Sequence, residues 1–309
     1  MTASLEDRPD DDIVLPFSLA GANVRGRIVR LGPMVTQILG RHDYPPPVGA
    51  LLGEAVALTA LLGASLKFDG RFVVEARSDG PVDLVVADFT TPGDMRGYAH
   101  FDAEAVARAQ AQGGAAPQLG HGHLAMTVDQ GADMELYQGI VALTGGRLAD
   151  AALEYFHRSE QIPTALHLGA GQISTPGARP NADTGWRAGG ILIQHLPPAG
   201  PADLETENDD WANALAVFKT VEYDEILDPG LAPERLLYRL FHEAGVTVTS
   251  ASPVTDTCRC SRDRIGATLS RFDGAGLEEM IEDGAIGVTC EFCNRRYRFT
   301  PEEIATPAS

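Results

Sequence analysis

The chain has four cysteines, in two tight pairs near its C-terminal end: Cys258-Arg259-Cys260 and Cys290-Glu291-Phe292-Cys293. Each pair can bring two thiolates to one point. The 29 residues between them, 261–289, are enough to fold back and join the pairs. Zinc prefers tetrahedral four-cysteine coordination, and closely spaced pairs are how short segments build it. Cysteines used for separate burial would be scattered. The spacing therefore predicts a zinc site with Cys258, Cys260, Cys290 and Cys293 as ligands, one ion per chain.

The first pair is unusual, because a single residue separates its cysteines, whereas structural zinc sites mostly use two or more. A disulfide across one residue closes a small, constrained ring that should be comparatively easy to reduce. Arg259, Arg262, Arg264, Arg295, Arg296 and Arg298 lie close in sequence. Positive charge favours thiolate, and thiolate is what oxidants attack. Two readings remain open here: a zinc site that is also a peroxide-sensitive switch, and a structural zinc knuckle with its arginines on a solvated face.

At 309 residues the chain is long enough for one large or two modest domains. Its net charge of −19 argues against a nucleic-acid partner, which would want a basic face. The opening residues 1–12, MTASLEDRPDDD, are acidic and lack an apolar stretch, so they read as a disordered tail rather than a signal peptide. The most apolar run, Gly49 to Phe68, is broken by Glu54, Thr59, Ser65 and Lys67 and reads as a buried helix, not a membrane span. These features lead to an expectation of a cytoplasmic protein. In that reducing compartment paired cysteines are metal ligands or redox sensors rather than permanent disulfides.

The expected domains are a core at 13–199, a helical linker at 200–255 and a cysteine unit at 256–309. In the core, Ile13 to Leu31 reads as strand, and Pro45-Pro46-Pro47 stops the chain before a helix over Gly49–Lys67. Strands follow at Phe72–Arg77, Val82–Phe89, Gly97–Phe101, His123–Val128 and Met134–Leu143, with a short helix at Ala103–Gln112. A helix over Arg147–Gln161 and late strands at Thr164–Leu168 and Gly190–His195 complete it. Runs of strands joined by hairpins, with helices added, predict an α+β fold with a largely antiparallel sheet and packed helices.

Composition changes after Pro197-Pro198. Residues 200–257 carry 12 acids and 3 bases, a net of −9, including the cluster Asp203, Glu205, Glu207, Asp209 and Asp210. Two helices are expected, Trp211–Val221 and Pro233–Ala244, with Pro233 at a helix start and Gly245 at its end. Leu236, Leu237, Leu240 and Phe241 give the second an apolar face that must cover something. An ordinary connector and a segment folded only while docked both satisfy that pattern. In the last unit, Ile265–Phe272 and Leu277–Ile281 look helical and Val288–Phe299 a hairpin with the second cysteine pair at its turn. A unit this small depends on its metal. Dinucleotide, P-loop, nucleophile-elbow and H-E-x-x-H motifs do not occur, and no catalytic constellation forms, so the chain does not read as an enzyme.

Cys-Arg-Cys-Ser-Arg (258–262) and Cys-Glu-Phe-Cys-Asn (290–294) resemble the heat-shock protein 33 family of redox-regulated holdase chaperones, also called HslO. The likeness extends over nearly the whole chain, through the stretches 137–141, 155–164 (YFHRSEQIPT), 189–194 and 240–243. The resemblance implies that the reduced protein binds zinc through the four cysteines and is inactive. On oxidation Cys258 pairs with Cys260 and Cys290 with Cys293, zinc is released, and the metastable linker unfolds. Unfolding client proteins are then held without ATP, with dimerisation on activation. No nucleic acid or membrane partner is implied. On this reading Leu236, Leu237, Leu240 and Phe241 belong to the client-binding surface. Two other classes stay open: a constitutive zinc module in an interaction or assembly factor, and a dithiol oxidoreductase using Cys290 and Cys293.

Overall fold

The structure, a computed structural model, describes residues 11–20, 22–111, 119–131, 134–174, 184–197 and 204–305. The chain divides into two compact units, the first ending at Asp256 and the second beginning at Thr257.

The first unit is built on two sheets and a central helix. Strands β1 (Ile13–Leu19) and β2 (Val24–Leu31) form a hairpin, followed by a short helix α1 (Pro33–Leu39) and the long helix α2 (Pro46–Gly63). Next come β3 (Arg71–Ser78), β4 (Val82–Thr90) and β5 (Asp94–Phe101), then α3 (Ala103–Ala111), β6 (His121–Asp129) and β7 (Tyr137–Thr144). Helix α4 (Leu148–Tyr155) runs into a π-helical turn, Phe156–Glu160, and a long hairpin of β8 (Thr164–Ser174) and β9 (Thr184–His195) follows. Three helices then cross the surface: α5 (Leu204–Phe218), α6 (Tyr223–Leu227) and α7 (Pro233–Phe241). Three short strands end the unit, β10 (Val246–Val248), β11 (Ser252–Pro253) and β12 (Thr255–Asp256).

One sheet has the order β10-β1-β2-β9-β8, with β11 also on β1; the other runs β12-β5-β4-β3-β6-β7. Pairing is antiparallel except between β12 and β5. The sequence reading expected one sheet; there are two, and α2 packs on strands of both. A helix apolar all round is stable only when covered on every side. Gly53 permits the close approach, since a Cβ there would lie 2.6 Å from the Cβ of Ala170. Helix α2 is long and apolar enough to cross a membrane, yet most of it is buried in this core.

Several boundaries differ from the sequence expectation. Pro46 and Pro47 open α2 instead of preceding it, because the first helical positions have no partner for an N–H and tolerate proline. Strands β8 and β9 are much longer than expected. Glycines that lowered their strand signal are needed for packing: a Cβ on Gly189 would lie 2.7 Å from Ile226 of α6. The helix expected to reach Gln161 gives way to the π turn, and Gln161 takes a left-handed conformation (φ 54°). Residues 1–10 of the expected tail lie outside the described residues, but Asp11 and Asp12 are tied down. The Asp12 carboxylate accepts hydrogen bonds from the backbone N–H groups of Gly32 (2.9 Å) and Met34 (3.0 Å), at the start of α1, and Asp11 pairs with Arg187 (2.9 Å). Asp203, and the side chains of Glu205 and Glu207, lie outside what is described.

The second unit contains α8 (Arg262–Leu269), α9 (Gly274–Glu279), a small sheet of β13 (Ile281–Glu282), β14 (Ala285–Thr289) and β15 (Arg296–Phe299), and α10 (Pro301–Ala305). Its hydrophobic cluster has four buried side chains: Leu269, Ile286, Phe299 and Ile304.

Candidate metal centre and the covered sheet face

The two cysteine pairs sit at opposite kinds of local structure. Cys258 and Cys260 lie on the irregular segment leading into α8, whose N-cap Ser261 accepts from the N–H of Arg264 (3.2 Å). The guanidinium of Arg264 reaches back to the carbonyl of Arg259 (2.8 Å) and fixes that segment. Cys290 and Cys293 occupy the turn between β14 and β15. There the Asn294 N–H donates to Cys290 O (2.8 Å) and the Cys290 N–H to Arg295 O (2.9 Å), with Asn294 left-handed (φ 55°). Asparagine tolerates that conformation better than most residues.

The four Sγ atoms all lie within 4.8 Å of one another, and all four cysteines are half-buried with no disulfide between them. Cys258 and Cys290 sulfurs are 3.7 Å apart, and those of Cys260 and Cys293 3.3 Å. Tetrahedral zinc–thiolate bonding at ~2.3 Å places sulfurs about 3.8 Å from each other, so the donor set and its spacing fit that metal. Crowded sulfurs share negative charge badly without a cation. Burial pushes the thiols of Cys258 and Cys293 up, Cys293 to about 12. For Cys260 burial acts the same way, but hydrogen bonds from Tyr297 and the neighbouring cysteines outweigh it and bring it down to about 7.

Tyr297 was not legible as part of this site. Its hydroxyl lies 3.1 Å from Cys260 Sγ, delivered there by β15. Of the arginines counted from sequence, Arg295 acts electrostatically on Cys260 and Cys293. Others are engaged elsewhere: Arg262 with Glu303 (2.8 Å) and over the Phe299 ring (4.4 Å), and Arg298 with the carbonyl of Asp283 (2.9 Å).

A second feature belongs to the first unit alone. The outer face of the β1-β2-β9-β8 sheet is apolar, with Leu15, Phe17, Ile28 and Ile191 buried beneath α5, α6 and α7. Leu236, Leu237 and Phe241 are buried against it and Leu240 is partly buried. Phe241 stacks on Phe17 (5.9 Å), Phe218 on His167 (4.7 Å) and Trp211 on His195 (5.4 Å). The Arg147 guanidinium lies over the Tyr223 ring (5.0 Å). Polar anchors from the core complete the contact. Arg30, 2% exposed, donates to the carbonyls of Asp228 and Leu231, and Arg41 pairs with the carboxylate of Asp256. The four apolar residues singled out from sequence thus share one face. Arg30 and Arg41 were missed, because neither an arginine in a strand nor one in a turn gives any sign of what it will meet.

Comparison with known proteins agrees with this architecture. The family model described as Hsp33 protein matches residues 12–300. A 33 kDa chaperonin of Caulobacter vibrioides is 47% identical over 300 residues, covering 94% of this chain and 95% of its own. One from Azotobacter vinelandii is 37% identical over 298 residues, covering 96% and 94%. The crystal structure of a 33 kDa chaperonin (heat shock protein 33 homolog) from Thermotoga maritima superposes with a TM-score of 0.75 at 24% identity, over 95% of this chain and 97% of that one, and so shares the fold. The chain belongs to the Hsp33 family.

Proposed function

We propose that this protein is a redox-regulated, ATP-independent holdase chaperone of the cytoplasm. The observation that carries the reading is the apolar sheet face covered by α5–α7, in a chain whose next unit after β12 gathers four cysteine sulfurs around one point. In the reduced state Cys258, Cys260, Cys290 and Cys293 hold one zinc ion. Bound zinc supplies four metal–thiolate bonds to a unit with too small a core to fold alone. Hydrogen peroxide accepts two electrons from each cysteine pair. In each pair two thiolates form one S–S bond as the O–O bond of one peroxide breaks, and two protons from solvent carry its oxygens away as two waters. Cys258 pairs with Cys260 and Cys290 with Cys293, after which no thiolate remains to bind the metal.

The unit then loses its order, and the acidic segment before it opens more readily. Leu236, Leu237, Leu240, Phe241 and the sheet beneath them become available to unfolding clients, since exposed apolar patches of this size bind other apolar surfaces. The exposed face also supports self-association into a homodimer on activation. Zinc release and light scattering by a thermally unfolding client, followed together before and after mild peroxide treatment, test the reading. Protection should appear with metal release and reverse on reduction. Equal protection in both states, or turnover of a small disulfide substrate, would sink it.

A further inference from the structure

Strand β2 presents its alternate residues to opposite faces. Val24 and Ile28 belong to the cluster under α5–α7, so Arg25 and Arg27 face the other way, Arg27 half-buried and Arg25 exposed at the rim. There they line a cleft of about 260 Å³ together with Lys67, just past the end of α2. Leu62, Phe72, Met126 and Phe156 supply apolar wall, beside the polar groups of Ser65, Tyr137, Tyr155 and Gln194. Three cations share the cleft with one carboxylate, Glu160, in a chain whose net charge is −19. Glu160 is engaged by the hydroxyls of Tyr155 (2.8 Å) and Tyr137 (3.4 Å).

Among the described residues no carboxylate pairs with Arg25, Arg27 or Lys67. Arg25 Nε donates to Gln194 (3.0 Å). Arg27 Nε is buried with no partner at all. Burial, and then the charge of Arg25, push the Arg27 guanidinium down to about 10. A partly desolvated cation without a counter-ion costs stability. The segment that closes the cleft is the π turn Phe156–Glu160 with left-handed Gln161 behind it. Such turns concentrate at functional sites, and so does a left-handed conformation at a residue other than glycine. The redox switch uses none of these groups.

We propose that this cleft binds a small amphipathic carboxylate, its head on Arg27 and Arg25 and its apolar body against Leu62, Phe72, Met126 and Phe156. A guanidinium fork matches a carboxylate with two parallel hydrogen bonds. Glu160 on the same wall repels a dianion, which favours a singly charged head over phosphate. The volume lies just below the ~300 Å³ at which sites for drug-sized ligands begin, so the ligand is of metabolite size.

The test is calorimetric titration of the full-length, reduced, zinc-loaded protein with octanoate, octanol and inorganic phosphate. Octanoate should bind at one site per chain, with octanol weaker by about tenfold or more and phosphate silent. R27M should weaken octanoate by about tenfold or more while raising the thermal midpoint, since it removes an unpaired, half-buried charge; a purely structural arginine would lower that midpoint. Should R27M not fold, the methyl resonance of Met126 in the wild-type protein serves instead. It should shift on octanoate addition while that of Met280 stays fixed. Absence of octanoate binding, phosphate binding as tight as octanoate, undiminished binding by R27M, or an unmoved Met126 methyl would overturn the proposal.

Discussion

Arg30 on β2 donates to the carbonyl of Leu231, 201 residues further along the chain, and its second arm reaches the carbonyl of Asp228. Both carbonyls belong to the turn between α6 and α7, so one buried guanidinium clasps that turn from below. Hydrogen bonds from a charged donor contribute about 1.5–3 kcal/mol each, and an orphaned buried carbonyl adds a penalty of its own. R30M keeps the bulk and removes the donors. We expect linker docking to weaken by about 3 kcal/mol. Hydrogen exchange in the reduced protein should then show faster exchange over Pro233–Phe241, with partial aggregation suppression before any oxidant is added. Unchanged protection in α7 would show that the clasp is dispensable.

His167 lies under the linker, stacked on Phe218, with its Nε2 buried and unpartnered. Burial is the main cause that pushes its imidazole below the ordinary value, with the charge of Arg147 acting in the same direction. A histidine whose folded pKa is depressed favours the folded state while neutral. That contribution is present above the unfolded value of ~6.5 and is lost as pH falls below it. Acidification from pH 7.5 to 5.5 should therefore lower the protection factors of the α5 amides near Phe218, taken against the intrinsic exchange rate at each pH. H167F, which keeps the stack without the titration, should flatten that response. An identical pH response in H167F would assign the effect to another group.

The cysteine unit was legible because metal chemistry imposes spacing, and spacing is a property of sequence. The apolar face of α7 was legible for a similar reason, since helical periodicity marks Leu236, Leu237, Leu240 and Phe241 before any partner is known. What covers what was not. Nothing local in Val24 to Leu31 distinguishes Arg27, left unpaired between the sheets, from Arg30, clasping carbonyls about two hundred residues away. Long-range partners decide both. The second sheet escaped for the same reason, because strand pairing joins distant segments, and the short strands β10, β11 and β12 exist only as edges added to strands already formed. Tyr297 reaches Cys260 through the register of β14 with β15, which a one-residue slip would turn away.

The disulfide pattern gives a further prediction. Close sulfur–sulfur approaches run across the pairs, Cys258 to Cys290 (3.7 Å) and Cys260 to Cys293 (3.3 Å). Pairing within Cys258/Cys260 and Cys290/Cys293 therefore requires the backbone to move as the site comes apart. Residues one or three apart reach bridging distance by such local adjustment, whatever the rest of the unit does. Peptide mapping after peroxide should find the two local bridges as the main product. Trapping at early times should show cross-pair bridges only as minor species. Dominant Cys258–Cys290 or Cys260–Cys293 linkage would mean that oxidation captures the folded arrangement, and that unfolding follows by another route.

Metal removal under reducing conditions separates the two units' contributions. Among the described residues the second unit's cluster has four buried side chains, with a few partly buried ones packed against them. Structural zinc contributes on the order of 10–16 kcal/mol in small zinc peptides, comparable to the whole stability of a domain at about 5–15 kcal/mol. A chelator, or a C258S/C290S double substitution, should therefore unfold residues 257–309, with exchange protection over β14 and β15 lost in the same transition as zinc. The linker has a different support. Its helices are docked on the β1-β2-β9-β8 sheet through a cluster that lies entirely in the first unit, and Arg41 holds Asp256 at the end of β12. We expect α7 to keep part of its protection when the metal is removed in the cold and to lose it on mild heating, below the temperature at which β3 and β6 open. The acidic segment's net −9 favours that opening at low salt, and added salt should delay it. Persistent protection of β14 and β15 without metal would sink the prediction for the cysteine unit. Opening of α7 only together with β3 and β6 would remove the linker from the switch.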